Sequence, residues 1–402
     1  MNSISLNDIL SKTARNSFRN FKLKGLNVIK NAKVYDKHGV FANKTLFFLD
    51  NMSLSSDTFI KSVSNLEDVN VFDCKNNYIT PTMIDQHIHG KDGIDFNKNS
   101  EAEIRSLLVE LKALGHGEIL ASLTPDKINN LNLQMDVIRR IIKNPKSNET
   151  RISGINLEGP FFSPEKRGIH SEDMLIKPTV DEIKKLNLDD VKLVTIAPEL
   201  DKDYEATNYL KSLGIIPSAG HCEASAEQVR NSGINCITHL FNGMVGYNHR
   251  IPTIVNEGLE NDNIYIEVNT AFELLKPKTI DLIYKVKPHD KIILISDAIK
   301  GVKPGEDHFI MGDKRVNIEA DGVARDEDGV LAGAIKSLGE VAKEFIDSTL
   351  LTFGDFIKFT TVNSRKLLNL DNQNYLNINK KPSFVIWDKD TLKPIKTFIK
   401  GE

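Results

Sequence analysis

The 402-residue chain is 40% hydrophobic and 27% charged, a balance that suits a globular protein with a large buried core. A formal net charge of −3 offers no electrostatic handle for nucleic acid or an anionic membrane, so neither is expected as a partner. No apolar run approaches the ~18 residues of a membrane span, the N-terminal stretch lacks an apolar segment of the signal type, and Cys74, Cys222 and Cys236 are too few and too irregular for a disulfide framework. These features point to a reducing, cytoplasmic setting.

In chain order, residues 21–80 ("LNVIKNAKVYDK", "KTLFFLD", "DVNVFDCKN") read as short alternating strands separated by turns. From about residue 80 to 370 the rhythm changes. Eight β-branched runs follow: "YITPTMIDQHIH", "GEILASLT", "RISGINLEG", "VKLVTIAPE", "GIIPSAGH", "NCITHLF", "NIYIEVN" and "KIILISDA". Between them lie amphipathic stretches with helical spacing, such as "EAEIRSLLVELKAL", "INNLNLQMDVIRRIIK", "ASAEQVRNS" and "PKTIDLIYKV". Eight strands alternating with helices predict a (β/α)8 barrel; a doubly wound open sheet shares the alternation, and the count of eight decides between them. Residues 383–400 ("SFVIWDKDTLKPIKTFIK") return to short strands. Neither terminal piece has strands enough to bury two faces alone, so the expected organisation is a β-sandwich from residues 1–80 plus 376–402 and a barrel over 81–375.

Chemistry in such a barrel sits where the strands end. His87 and His89 end the first run, Glu158 the third, His221 the fifth, His239 the sixth and Asp297 the eighth. A single histidine or aspartate at a strand end is most often a hydrogen-bonded core residue. Six metal-ligand types at one rim form a stronger pattern, and side-chain alternation puts His87 and His89 on the same side of their strand. Imidazole and carboxylate suit Zn2+ or Fe2+, and Glu158 could bridge two ions. "LEGPFFSPEKRGIH" is a second constellation, in which Gly159-Pro160 predicts an irregular loop returning to His170; an ordinary surface loop is the alternative. In "THLFNGMVGYNHR", Asn242 and Gly243 follow His239, and Arg250 offers a fixed positive charge for an anion or simply a solvated face. Cys222 reads as a packed thiol, since adjacent strand positions point apart.

Together, "PTMIDQHIHGKDGIDF", "LEGPFFSPEKRGIH", "GHCEAS", "THLFNGM", "ISDA" and "LAGAIKSL" resemble the N-acetylglucosamine-6-phosphate deacetylases of the amidohydrolase superfamily, over about residues 25–400. The resemblance implies a metal-dependent hydrolase, usually a homodimer, acting on a small amino-sugar phosphate. It assigns a divalent metal to Glu158, His221 and His239, with His87 and His89 retained for a second ion, and gives Asp297 the acid/base role at the metal. It places the sugar phosphate on Asn242, Gly243 and Arg250, the acetamide on His170 beside Ile169, and the pocket closure on Leu331, Ala332 and Gly333. This chain departs from the family pattern at two places. Gly243 stands where the family has alanine, and the strand-seven histidine of its D-G-x-H motif is absent, with Leu274 in its place. The missing histidine leaves room for a different N-acetylated sugar or sugar phosphate, or for a metal-binding paralogue without hydrolase activity. A cyclic-amide hydrolase or deaminase is the other enzymatic reading. Such enzymes bridge metals with a carbamylated lysine, and strand four offers only Lys192, at its start.

Overall fold

In the computed structural model, the described residues are 4–15, 17, 18, 21–36, 38–302, 306–311, 314–319, 323–370 and 376–402. Eight parallel strands are hydrogen-bonded in the order in which they occur in the chain. They are β1 (Met83–Ile88), β2 (His116–Leu123), β3 (Arg151–Phe161), β4 (Val191–Ile196), β5 (Ile216–Ala219), β6 (Cys236–Ile237), β7 (Tyr265–Asn269) and β8 (Ile292–Ile295). The ring closes just past β8, where Ala298 bridges Ile88 and the Asp297 N–H donates to the His87 carbonyl at 2.9 Å. The (β/α)8 barrel expected from eight alternating runs is therefore formed.

The helices follow their sequence signals. Glu101–Ala113 begins at a capping box between Ser100 and Glu103, and it buries Ile104, Leu107, Leu108 and Leu111 against the barrel. Ile128–Lys143 and Pro277–Val286 match their predicted spans. No helix among the described residues is long and apolar enough to cross a membrane.

Strands from both chain ends join in one seven-stranded sheet. Leu26–Tyr35 pairs with Phe41–Leu49, Val69–Asp73 and Tyr78–Pro81, and Tyr78–Pro81 pairs with Phe384–Trp387. Alternation along Phe384–Trp387 divides two cores: Phe384 and Ile386 pack inside the small sheet's cluster, while Val385 and Trp387 face the barrel. Trp387 is fully buried there and donates its indole N–H to Thr80 Oγ1 at 2.7 Å.

Four local expectations are corrected. The run "YITPTMIDQHIH" is two strands in different sheets, divided at Pro81, which has no N–H to carry one ladder onward. Strand β3 continues past Glu158 to Phe161 where an irregular loop was expected; the irregularity is taken up as a register shift between Leu157 and Phe161, around Gly159 at φ +88°. Strand β6 is only two residues long, because the chain turns left-handed at His239 (φ +30°) instead of extending through "THLF". Beyond β8, a four-stranded antiparallel sheet (His308–Met311, Lys314–Ile318, Ala324–Asp326, Leu331–Gly333) was not anticipated.

Candidate active site

The six rim residues converge. Glu158 stands at the centre: its Oε1 lies 2.9 Å from His239 Nε2, 3.2 Å from His221 Nε2 and 3.4 Å from His87 Nε2, and its Oε2 lies 3.2 Å from His89 Nε2. Asp297 Oδ1 is 3.7 Å from His87 Nε2 and 3.6 Å from His89 Nε2. Three of the six, His221 (φ +46°), His239 (φ +30°) and Asp297 (φ +51°), hold left-handed backbone that costs non-glycine residues energy. Such strain persists where the surrounding fold over-determines it, and here it aims three side chains at one point.

The outer nitrogens define which way the rings face. His87 Nδ1 is 3.0 Å from Glu267 Oε2, His89 Nδ1 is 3.2 Å from the Ser122 carbonyl, and His221 Nδ1 is 2.7 Å from the Lys166 carbonyl. Each partner only accepts, so in the neutral ring the proton sits on Nδ1 and the Nε2 lone pair points inward. Yet His87 and His89 bring their Nε2 atoms to 3.1 Å of one another, and His221 and His239 do the same at 3.1 Å. Inward lone pairs packed around two carboxylates repel unless positive charge lies among them. The donor set therefore fits a divalent metal. Two groups of ligand atoms are close enough to share an ion, His87 with His89, Glu158 and Asp297, and Glu158 with His170 and His221.

The excess negative charge is also visible in the titration of the rings. Burial disfavours a charged His87, but Glu267 and Glu158 outweigh it and hold the imidazole well above its ordinary pKa. His89, likewise buried, is raised to about 9 by Glu158 and Asp297. His170 behaves oppositely: burial pulls it down to about 3, so it is a neutral donor at physiological pH. Burial pushes Asp297 up, but His89, His87 and His239 overcome this and keep it below the usual carboxylate range. Its Oδ2 accepts from Asn269 Nδ2 at 2.9 Å.

A cavity of about 440 Å³ opens above these groups, and Ile169, His170, Asn242, Gly243, Leu331, Ala332 and Gly333 all line it, beside Leu274. Asn242 Nδ2 is buried there without a hydrogen-bond partner, a donor aimed at nothing in the protein. Gly243 has φ +59°, and a Cβ at that position would sit 2.9 Å from His221 Nδ1, so any side chain there would press on the ring in its present place. Arg250 is not brought to this cavity; it lies in an exposed segment, with its backbone N–H on Asn248 Oδ1. Across Ile169 and His170 lies a second cavity of about 240 Å³, which shares His89 and carries Lys98 and Lys300.

Sequence reasoning missed the residues behind the rim. Glu267, fully buried on β7, receives Gln86 Nε2 at 2.7 Å, faces His87 Nδ1 and accepts from the His239 N–H at 3.3 Å. Its signal was the single charged residue inside the strand run "NIYIEVN". Asn269 and Ser122 left no comparable mark.

A barrel whose strand ends gather histidines and acids fit to hold a divalent ion defines a metal-dependent hydrolase class, and the model of the amidohydrolase family matches residues 78–402. The chain belongs to the amidohydrolase family. Within it, the chain is 30% identical over 351 residues to N-acetylglucosamine-6-phosphate deacetylase of Bos taurus, covering 82% of this chain and 84% of that protein. The Lysinibacillus sphaericus protein of the same name is 29% identical over 331 residues, covering 78% and 82%. A solved N-acetylglucosamine-6-phosphate deacetylase from Thermotoga maritima superposes with a TM-score of 0.80 at 26% identity, over 93% of this chain and 98% of that one.

Proposed function

We propose that this protein removes the acetyl group from N-acetylglucosamine 6-phosphate, releasing acetate and glucosamine 6-phosphate in amino-sugar catabolism. One observation carries the reading: His87, His89, His221, His239, Glu158 and Asp297 meet at the floor of a cavity walled by His170 and Asn242. The names of the similar deacetylases support the choice of substrate.

A divalent ion held by these six residues, Zn2+ or Fe2+ in our reading, would lower the pKa of water towards ~7 and polarise the amide carbonyl. Glu158 belongs to both donor groups, so one or two ions per subunit would fit, a second being held by Glu158, His221 and His239 with His170 left to the substrate. Asp297, held by Asn269 through Oδ2, takes the proton of the attacking water on Oδ1. It then delivers that proton to the departing nitrogen, which must be protonated before the C–N bond breaks. His170, neutral and at the cavity wall, donates to the oxygen on which charge develops. Asn242 Nδ2 supplies an unspent donor for the sugar or its phosphate, and Ile169 with the segment Leu331, Ala332 and Gly333 encloses the ring.

The finer organisation belongs to the same proposal. The terminal sheet, residues 1–80 plus 376–402, flanks a catalytic barrel of 81–375. A homodimer is supported by Ile251, 70% exposed, and Tyr247, 53% exposed, on either side of Arg250; a second copy covering this segment would bring Arg250 into a shared anion site. The three buried free cysteines suit a cytoplasmic setting. A second reading, a related N-acetylhexosamine derivative, is favoured by the apolar Leu274 and by the absence of lysine or arginine among the described residues lining the cavity.

Acetate release over a panel of N-acetylhexosamines, each with and without a 6-phosphate, tests both. The expected result is fastest turnover of N-acetylglucosamine 6-phosphate, abolished by exhaustive chelation and restored by added metal. Ammonia in place of acetate, or full activity after chelation, would overturn the proposal.

A further inference from the structure

A cavity of about 550 Å³ lies at the opposite, N-terminal mouth of the barrel. Strand β3 begins there at Arg151 and ends beyond Glu158, so the two ends lie on the order of 20 Å apart at ~3.3 Å per residue. The lining includes three cations, Arg151, Arg365 and Lys400, and two acids, Glu118 and Glu149. Both acids are already engaged. Glu118 is taken by Arg365 and by the Ser153 hydroxyl, and Glu149 Oε2 accepts from Arg105 Nη1 at 2.8 Å.

Among the described residues, that leaves two cations without a counter-charge. Arg151 stands opposite Glu118 in the β2–β3 register, yet makes no ion pair with it, and its Nε is buried with no hydrogen-bond partner. Lys400 lines the same cavity and has no carboxylate at ion-pair distance among the described residues. The surroundings add positive charge. Burial, with the charges of Lys396 and Arg151, pulls the Lys112 ammonium down to about 8 against the opposing charge of Glu402. Buried donors without partners and like charges held together are both unfavourable, and a single bound anion relieves both.

We propose that this cavity binds a phosphoryl dianion, as free phosphate or a small phosphate monoester, between Arg151 and Lys400. The planar guanidinium supplies paired N–H donors and the ammonium a second, mobile charge, a combination that matches two negative charges on one tetrahedral group. A single carboxylate would satisfy only one of the two cations.

The test reads the site locally, so that phosphate binding at the catalytic centre does not confuse it. Amine-directed acetylation of the intact protein is followed at Lys400 by peptide mass spectrometry, with inorganic phosphate, glucose 6-phosphate or chloride at matched ionic strength. At least threefold slower labelling of Lys400 with phosphate or glucose 6-phosphate, but not chloride, is expected in the wild type and in Arg151→Lys. The protection should vanish in Arg151→Gln, and the relative potency of the two probes assigns free phosphate or a monoester. Labelling of wild-type Lys400 that neither probe slows would overturn the proposal even if Arg151→Gln failed to fold. Equal protection in Arg151→Gln would overturn it as well.

Discussion

At the scale of single residues, the centre separates groups that hold charge from groups that move protons. Glu267 does not line the site cavity; it orients His87 by accepting from its outer nitrogen and anchors the His239 backbone, so it acts through the ligands. Asp297 lines the cavity and faces the reacting position. Substituting each should therefore give different signatures. Asp297→Asn is expected to lower kcat by ~10²–10⁴-fold with metal content largely kept, since the proton carrier is lost while Glu158 and the four histidines still hold the ion. Glu267→Gln is expected to weaken metal affinity by ~10–100-fold, with activity recovered in excess metal. Elemental analysis beside kcat measured across metal concentrations distinguishes them, and identical behaviour of the two variants would refute the division of roles. Histidines and acids at strand ends were legible beforehand because both their positions and their chemistry are local. Glu267 was not, since one carboxylate in a strand run says nothing about which ring it will meet across the barrel.

At the scale of elements, the barrel depends on close approaches that particular glycines allow. The helix Leu338–Ser348 starts against the end of Glu101–Ala113, where a Cβ on Gly339 would lie 1.9 Å from the Leu114 carbonyl oxygen. That atom is backbone and has no rotamer to escape into. Gly339→Ala should accordingly lower unfolding stability by about 1–3 kcal/mol, read as a denaturant midpoint shift at constant m-value. A midpoint equal to wild type would show that the two helices are free to separate. The helices themselves were readable from the capping box at Ser100 and the buried stripe through Ile104 and Leu111. The antiparallel strands after β8 were not, because three- to five-residue strands carry too short an alternation to stand out from turns.

At the scale of the whole molecule, folding buries a group that favours one side of the pH range. His116 is fully buried at the start of β2, neither ring nitrogen has a partner, and burial pulls its pKa from 6.5 to about 3. The unfolded chain then binds a proton below pH 6.5 that the folded chain refuses until about pH 3, so stability is lost as pH falls through that window. The expected slope from this group approaches one proton, roughly 1.4 kcal/mol per pH unit. Urea unfolding between pH 4 and 7 should show a flatter acid limb in His116→Leu, and an unchanged slope would exclude His116 as the cause. The sequence by itself determined the eight alternating strands of the barrel and which residue types stand at their ends, because periodicity and residue chemistry act over a few positions. Only the tertiary structure decided that Glu158 sits among four imidazoles, that Glu267 stands behind them, and that Arg250 points to solvent while Arg151 lines a separate cavity. Those outcomes depend on barrel closure and on contacts between residues far apart in the chain, such as His87 and Glu267, 180 positions apart, which no local pattern encodes.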